Sequence, residues 1–115
     1  MLYSHSLKRN HLFRRLYRKG RHAANRYLVI YFLRNGSPEN RVGMTVSAKL
    51  GGAVARNRLR RRLREIYRLH EAGFKSGVDF VVVGRSAAMD ASFDTLCRAY
   101  LSLAERLGLL REGKP

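Results

Sequence analysis

The chain has 115 residues, 45% of them hydrophobic, and a formal net charge of +16. That length and apolar content suit one folded domain that buries its own core and exclude a disordered chain. No apolar run approaches the roughly 20 residues that cross a membrane, the opening MLYSHSLKRN lacks a secretory segment, and the lone Cys97 excludes an internal disulfide and suits a reducing cytoplasm.

The spacing of Leu12, Phe13, Leu16 and Tyr17 predicts a helix over residues 10–19, which Gly20 ends. Residues 27–33 are rich in β-branched and aromatic side chains and read as a strand. On it Leu28, Ile30 and Phe32 make the more apolar face, assigned to the core, while Tyr27, Val29, Tyr31 and Leu33 share the other. Asn35-Gly36-Ser37-Pro38 is a turn. Over residues 41–47, Val42, Met44 and Val46 alternate with Gly43, Thr45 and Ser47, the period of a half-buried strand. Gly51-Gly52 breaks the chain before a helix over 53–70. A loop over 73–77, a short buried strand over 80–83 and an amphipathic helix over 93–107 complete an α+β chain. The order is α-β-β-α-β-α with a possible short extra strand near 22–24, in one domain over 1–115 without repeats.

All the net charge lies in the first part of the chain. Residues 1–68 hold 18 Lys and Arg against Glu39 and Glu65, while residues 69–115 hold six of each sign. One anionic partner met by one part of the fold follows from that asymmetry, and nucleic acid is the usual one. Of the 24 basic residues 19 are Arg, whose planar fork suits bidentate phosphate contact and stacking. An anionic membrane fits less well, because the basic helix lacks the bulky apolar face of an interfacial anchor.

The densest stretch, RNRLRRRLRE at residues 56–65, has six arginines and two leucines. On a helix Ala55, Leu59, Leu63, Ile66 and His70 fall on a stripe about 80° wide, bordered by Tyr67, which packs on the sheet. Asn57, Arg61, Arg64 and Arg68 make the opposite stripe, with Arg60 beside it. Like charges at i,i+4 each cost a few tenths of a kcal/mol, so this face works against its own helix and points to a polyanion. A solvated charged face is the usual reading where signs are mixed; here nearly every charge is positive.

Chemistry by side chains is not indicated. His5, His11, His22 and His70 have no metal-ligand spacing, one cysteine rules out a zinc knuckle, and the eight acids never pair as a two-metal nuclease needs. Cys97 lies on the apolar stripe Phe93, Leu96, Cys97, Tyr100, Ala104, Leu107 and reads as a buried core thiol. Phe13 and Tyr17 are i,i+4 neighbours flanked by Arg14, Arg15 and Arg18. They could stack unpaired bases, but from spacing alone both rings read more readily as core.

RVGMTVSAKLGGAVARNRLRRRLRE, residues 41–65, resembles the signature of the protein subunit of bacterial ribonuclease P, built around Arg-Asn-Arg. LKRNHLFRRLYRKG (7–20) is similar to that family's first helix, ANRYLVIYFL (24–33) to its first long strand and DFVVVGR (79–85) to its last. The resemblance implies a sandwich of a small mixed sheet and helices, like ribosomal protein S5 domain 2, with a left-handed β-α-β crossover against the usual hand. It implies a protein that is not itself the catalyst. Such a protein binds the catalytic RNA and the 5′ leader of precursor tRNA, needs no further protein partner and works in the cytoplasm. The RNA cleaves with Mg²⁺ that it largely holds itself, the protein alone binding no metal.

By position, the resemblance implies that Arg56, Asn57, Arg61 and Arg64 face the RNA, flanked by Arg58, Arg60 and Arg68. Phe13, Tyr17 and Tyr31 would line the leader cleft, with Lys49 and Arg9 giving phosphate contacts. Ala48 stands where many members have a second Lys, and Arg62 where many have an apolar residue; at about 60° from the apolar stripe Arg62 can rest its stem on the core. Two other classes remain: a small ribosomal or RNA-chaperone protein that binds structured RNA without turnover, and a DNA-binding module. The last is disfavoured because strands separate the helices that a helix-turn-helix needs adjacent.

Overall fold

The computed structural model describes residues 4–7 and 9–111; the ends of the expected 1–115 domain lie outside the described residues. Five strands, β1 (Ser4–Ser6), β2 (Arg21–Ala24), β3 (Leu28–Arg34), β4 (Asn40–Val46) and β5 (Val78–Gly84), form one sheet in the order β1-β4-β5-β3-β2. The helices are α1 (Asn10–Lys19), α2 (Ala53–His70) and α3 (Phe93–Arg106). β4 and β5 are adjacent and parallel, joined by α2, and β1 runs parallel to β4; β3 is antiparallel to both β5 and β2.

The sheet separates two cores. Leu28, Ile30, Val42, Val46, Phe80 and Val82 face α2 and α3, where Leu59, Leu63, Ile66, Tyr67, Leu96, Tyr100 and Leu103 are buried. On the other face Val81 packs with Leu7 and Leu16, and with the partly buried Leu12, Phe13, Tyr31, Leu33 and Val83. This is the α+β sandwich expected, and the alternation along β3 assigned its two faces correctly, with Phe32 only partly buried and Tyr27, just before the strand, packed on the main core. Two glycines let helices press on the sheet. A Cβ on Gly43 would lie 2.8 Å from Phe13 Cζ on the α1 side, and one on Gly84 2.8 Å from Leu59 Cδ2 on the α2 side.

α2 forms although its ends offer little help: no side chain caps it at Gly52, and its first turn has no acid to meet the helix dipole. Burying Leu59, Leu63, Ile66 and Tyr67 is worth roughly 1.5–3 kcal/mol for each large apolar side chain, against a few tenths for each repulsive arginine pair. Packing wins. α3 has conventional ends, with Ser92 Oγ accepting from Thr95 N at 3.1 Å and Gly108 at φ +72° closing its C-terminus.

Several expectations need correction. The true order is β-α-β-β-β-α-β-α, because the three polar residues of β1 pair with β4; the possible extra strand near 22–24 is there, at residues 21–24. β5 spans seven residues rather than four. On α2 the buried stripe is Leu59, Leu63, Ile66 and Tyr67, not one running from Ala55 to His70: Ala55 is exposed and His70 half-buried. Tyr67 is drawn inward by polar partners, accepting from Asn40 Nδ2 at 3.2 Å and meeting Ser4 Oγ at 2.7 Å. Cys97 is half-buried at the rim of the core rather than inside it; burial, foremost, pushes its thiol pKa up.

Candidate nucleic-acid interface

α2 carries the cationic surface. Asn57, Arg58, Arg61, Arg64 and Arg68 are exposed, while Arg56 and Arg60 are half-exposed. Arg56 Nε donates to Gly51 O at 3.0 Å, holding its guanidinium at the helix start, and Arg60 donates to Asn57 Oδ1. Arg68 differs from the rest. Its Nε and Nη2 donate to the two Glu65 carboxylate oxygens at 2.8 and 2.6 Å, and these bonds hold the Glu65 carboxyl below its usual range. Among the described residues no other α2 arginine has a carboxylate partner. Arg62 sits half-buried and donates to Ala91 O at 3.1 Å, so this arginine is anchored on protein rather than offered outward.

Lys49 and Ala48 are exposed on a 3₁₀ turn, Ala48–Leu50, where Ser47 Oγ accepts from Lys49 N at 3.2 Å. This turn leaves the end of β4 and leads into α2. Arg9 is exposed at the N-cap of α1.

On the opposite face aromatic side chains of α1 meet those of the sheet. Tyr17, 43% exposed, meets Tyr31 edge-on with ring centroids 5.0 Å apart. Tyr17 Oη lies 3.5 Å from Thr45 Oγ1. Phe13 is half-buried, its ring lying over Gly43. Spacing alone favoured core for both rings; Phe13 does pack in the smaller core, and Tyr17 stands open. The register sets His22, Tyr31, Val81 and Gly43 in one row across four strands. His22 stacks on Tyr31 at 5.1 Å and 29°. Sequence reasoning did not bring His22, Thr45 and Gly43 together with these rings. Alternation could have put each on the right face, but only the cross-strand register brings them beside Tyr31.

The carboxylates are spoken for or scattered. Asp79 accepts from Arg41 Nε and Nη2 at 2.8 and 2.7 Å and from Asn35 Nδ2 at 2.9 Å, while Glu71 accepts from Ser4 Oγ at 2.7 Å. Among the described residues no group of three or more His, Cys, Asp or Glu could hold a metal ion. No helix among the described residues is long and apolar enough to cross a membrane.

Fold and site together define a small α+β protein with a cationic helix on one side of its sheet and an aromatic cluster on the other. The family model described as ribonuclease P matches residues 1–108. The ribonuclease P protein component of Alkaliphilus oremlandii is 42% identical over 104 residues, 90% of this chain and 91% of its own length. That of Clostridioides difficile is 43% identical over 101 residues, covering 87% and 89%. The solved RNase P protein of Staphylococcus aureus superposes with a TM-score of 0.86 at 30% identity, covering 94% of this chain and 99% of its own. That of Thermotoga maritima does so with 0.78 at 32%, covering 88% and 96%. The chain belongs to the ribonuclease P protein family. It is thereby a protein component of a ribonucleoprotein endoribonuclease of tRNA processing.

Proposed function

We propose that the chain binds the catalytic RNA of ribonuclease P through the outer face of α2 and takes the 5′ leader of precursor tRNA in the groove between α1 and the sheet. The observation that carries this reading is the set of α2 arginines that lack a carboxylate partner among the described residues. Arg56, Arg58, Arg60, Arg61 and Arg64 share one helix, and only Glu65 offers them a negative charge, already taken by Arg68. Phosphates supply the missing counter-charge, and counterion release supplies the affinity. Lys49 extends that contact around the end of β4, and Arg9 holds phosphates at the start of α1.

The groove suits a single strand of any sequence, because every base has a face to stack on Phe13, Tyr17 or Tyr31. Precursor and mature tRNA differ by that strand, so the groove lets the protein favour the substrate over the product. Hydrolysis of the phosphodiester belongs to the RNA and to Mg²⁺ that the RNA holds; the protein's side chains contribute binding and placement. The work is done in the cytoplasm, where precursor tRNA is made.

The test is reconstitution. Purified chain added to the ribonuclease P RNA of the same organism should lower the Mg²⁺ needed to cleave precursor tRNA and tighten binding of precursor over mature tRNA. A chain that binds the RNA yet changes neither would instead be a binding protein without a part in turnover.

A further inference from the structure

Tyr31 is covered from two sides. Tyr17 approaches edge-on from α1, and His22 lies nearly parallel to it from β2. β2 is the outer strand of the sheet, so no strand lies beyond His22. The residue is exposed and makes no hydrogen bond or ion pair among the described residues. One face of the imidazole therefore rests on Tyr31 and the other is open to solvent. Cations reach the same edge from the α3 face of the sheet, opposite to the face that carries His22 and Tyr31. Arg21 is held over the Phe32 ring at 5.5 Å, Arg26 over Tyr27 at 5.7 Å, and Arg106 donates to Ala24 O at 3.2 Å. All three are exposed, and none has a carboxylate partner among the described residues. A ring with a free face can stack an unpaired base, and guanidinium groups round the edge favour an anionic strand that leaves past it.

The sheet order gives this subsite a direction. α2 follows β4 through the Lys49 turn, whereas His22 lies at the β2 edge, two strands beyond β5. With the catalytic RNA on α2, leader nucleotides near the cleavage site lie toward β4, and those farther along the leader lie toward β2. We infer that His22 is a further leader subsite. A nucleotide upstream of those held by Phe13, Tyr17 and Tyr31 stacks on its open face as the strand leaves across β2. This rests on the reading of the α1 groove as the leader cleft.

The experiment measures binding of precursor tRNAs, their leaders lengthened one nucleotide at a time, to the reconstituted holoenzyme. Affinity should step up when the leader becomes long enough to reach β2. In His22→Ala that step should shrink by about fivefold or more, the low end for stacking one base on a ring, and in His22→Phe it should persist. A loss of equal size at every leader length, the shortest included, would mean that His22 only props Tyr31 and would overturn the subsite. So would no loss at any length. Tyr31→Ala, measured alongside, separates the two levels: if it too leaves precursor affinity unchanged, the groove is not the leader cleft. If it weakens binding while His22→Ala does not, the groove stands and the subsite alone falls.

Discussion

At the scale of single residues, the groove depends on an absence. Gly43 has no side chain where Phe13 lies, and a Cβ there would come within 2.8–2.9 Å of two ring atoms. Gly43→Ala should force that ring to shift and displace α1 from the sheet. Precursor tRNA should then bind more weakly to the holoenzyme while the catalytic RNA still binds normally, since α2 is untouched; equal weakening of both would place Gly43 in the general stability of the fold. Tyr100 is the opposite case, a polar atom where the fold has no use for one. Its hydroxyl is fully buried and finds no hydrogen-bond partner among the described residues, and burial pushes its pKa well above the usual tyrosine range. An unpartnered buried hydroxyl costs about 1–3 kcal/mol, so Tyr100→Phe should leave neutral-pH stability unchanged or raise it by about 1 kcal/mol. The folded chain holds the phenolic proton after the unfolded chain releases it near pH 10, so stability is full below that pH and falls as pH rises toward the folded value. Denaturant melts of Tyr100→Phe should show a shallower alkaline decline, the remainder including Tyr67 and Cys97, whose pKa values burial also raises. A variant that melts earlier at neutral pH would mean the hydroxyl has a partner.

At the scale of elements, α2 joins two incompatible faces on one helix, and each can be disturbed without the other. Arg61→Ala combined with Arg64→Ala removes exposed side chains that touch no core residue. Binding of the ribonuclease P RNA should weaken, and its log–log salt slope should flatten by about 0.9 or less for each phosphate that is no longer neutralised. Thermal stability should be unchanged or slightly raised by relief of like-charge repulsion. An unaltered salt slope would remove phosphate from this face. Glu65→Gln probes the same helix from the other direction. It releases Arg68 from a bidentate pair and should tighten RNA binding and steepen the slope; a weaker complex would show that the pair presents Arg68 in the geometry the RNA needs.

At the scale of the molecule, the cationic helix and the aromatic groove lie on opposite faces of the sheet and share no packed side chain. Distant sites without common partners add in free energy to within about 0.5 kcal/mol. Arg61→Ala and Tyr31→Ala should therefore be additive in precursor tRNA affinity, the first acting through the catalytic RNA and the second through the leader. Coupling well beyond that figure would mean that one face adjusts when the other is occupied, with the Lys49 turn the shortest covalent route between them.

Sequence alone was enough for whatever is local. The helices over residues 10–19 and 53–70 were legible to their ends because a 3.6-residue period and flanking glycines are properties of neighbouring residues. The outward arginines of α2 and the family signature around Arg-Asn-Arg were legible for the same reason. Pairing between strands is not local, and there the tertiary structure decided. Ser4–Ser6 has no apolar alternation and becomes a strand only because β4 offers backbone partners and Leu7 finds a buried site beside Leu16. Val78 and Gly84 extend β5 because β3 and β4 pair along both sides of it. The stripe of α2 turned toward Tyr67, away from Ala55 and His70, because Ser4 and Asn40 give its hydroxyl partners inside. His22 stands beside Tyr31 for the same kind of reason: they are nine positions apart in sequence but opposite each other in the β2–β3 register, and a one-residue slip would have turned one of them to the other face.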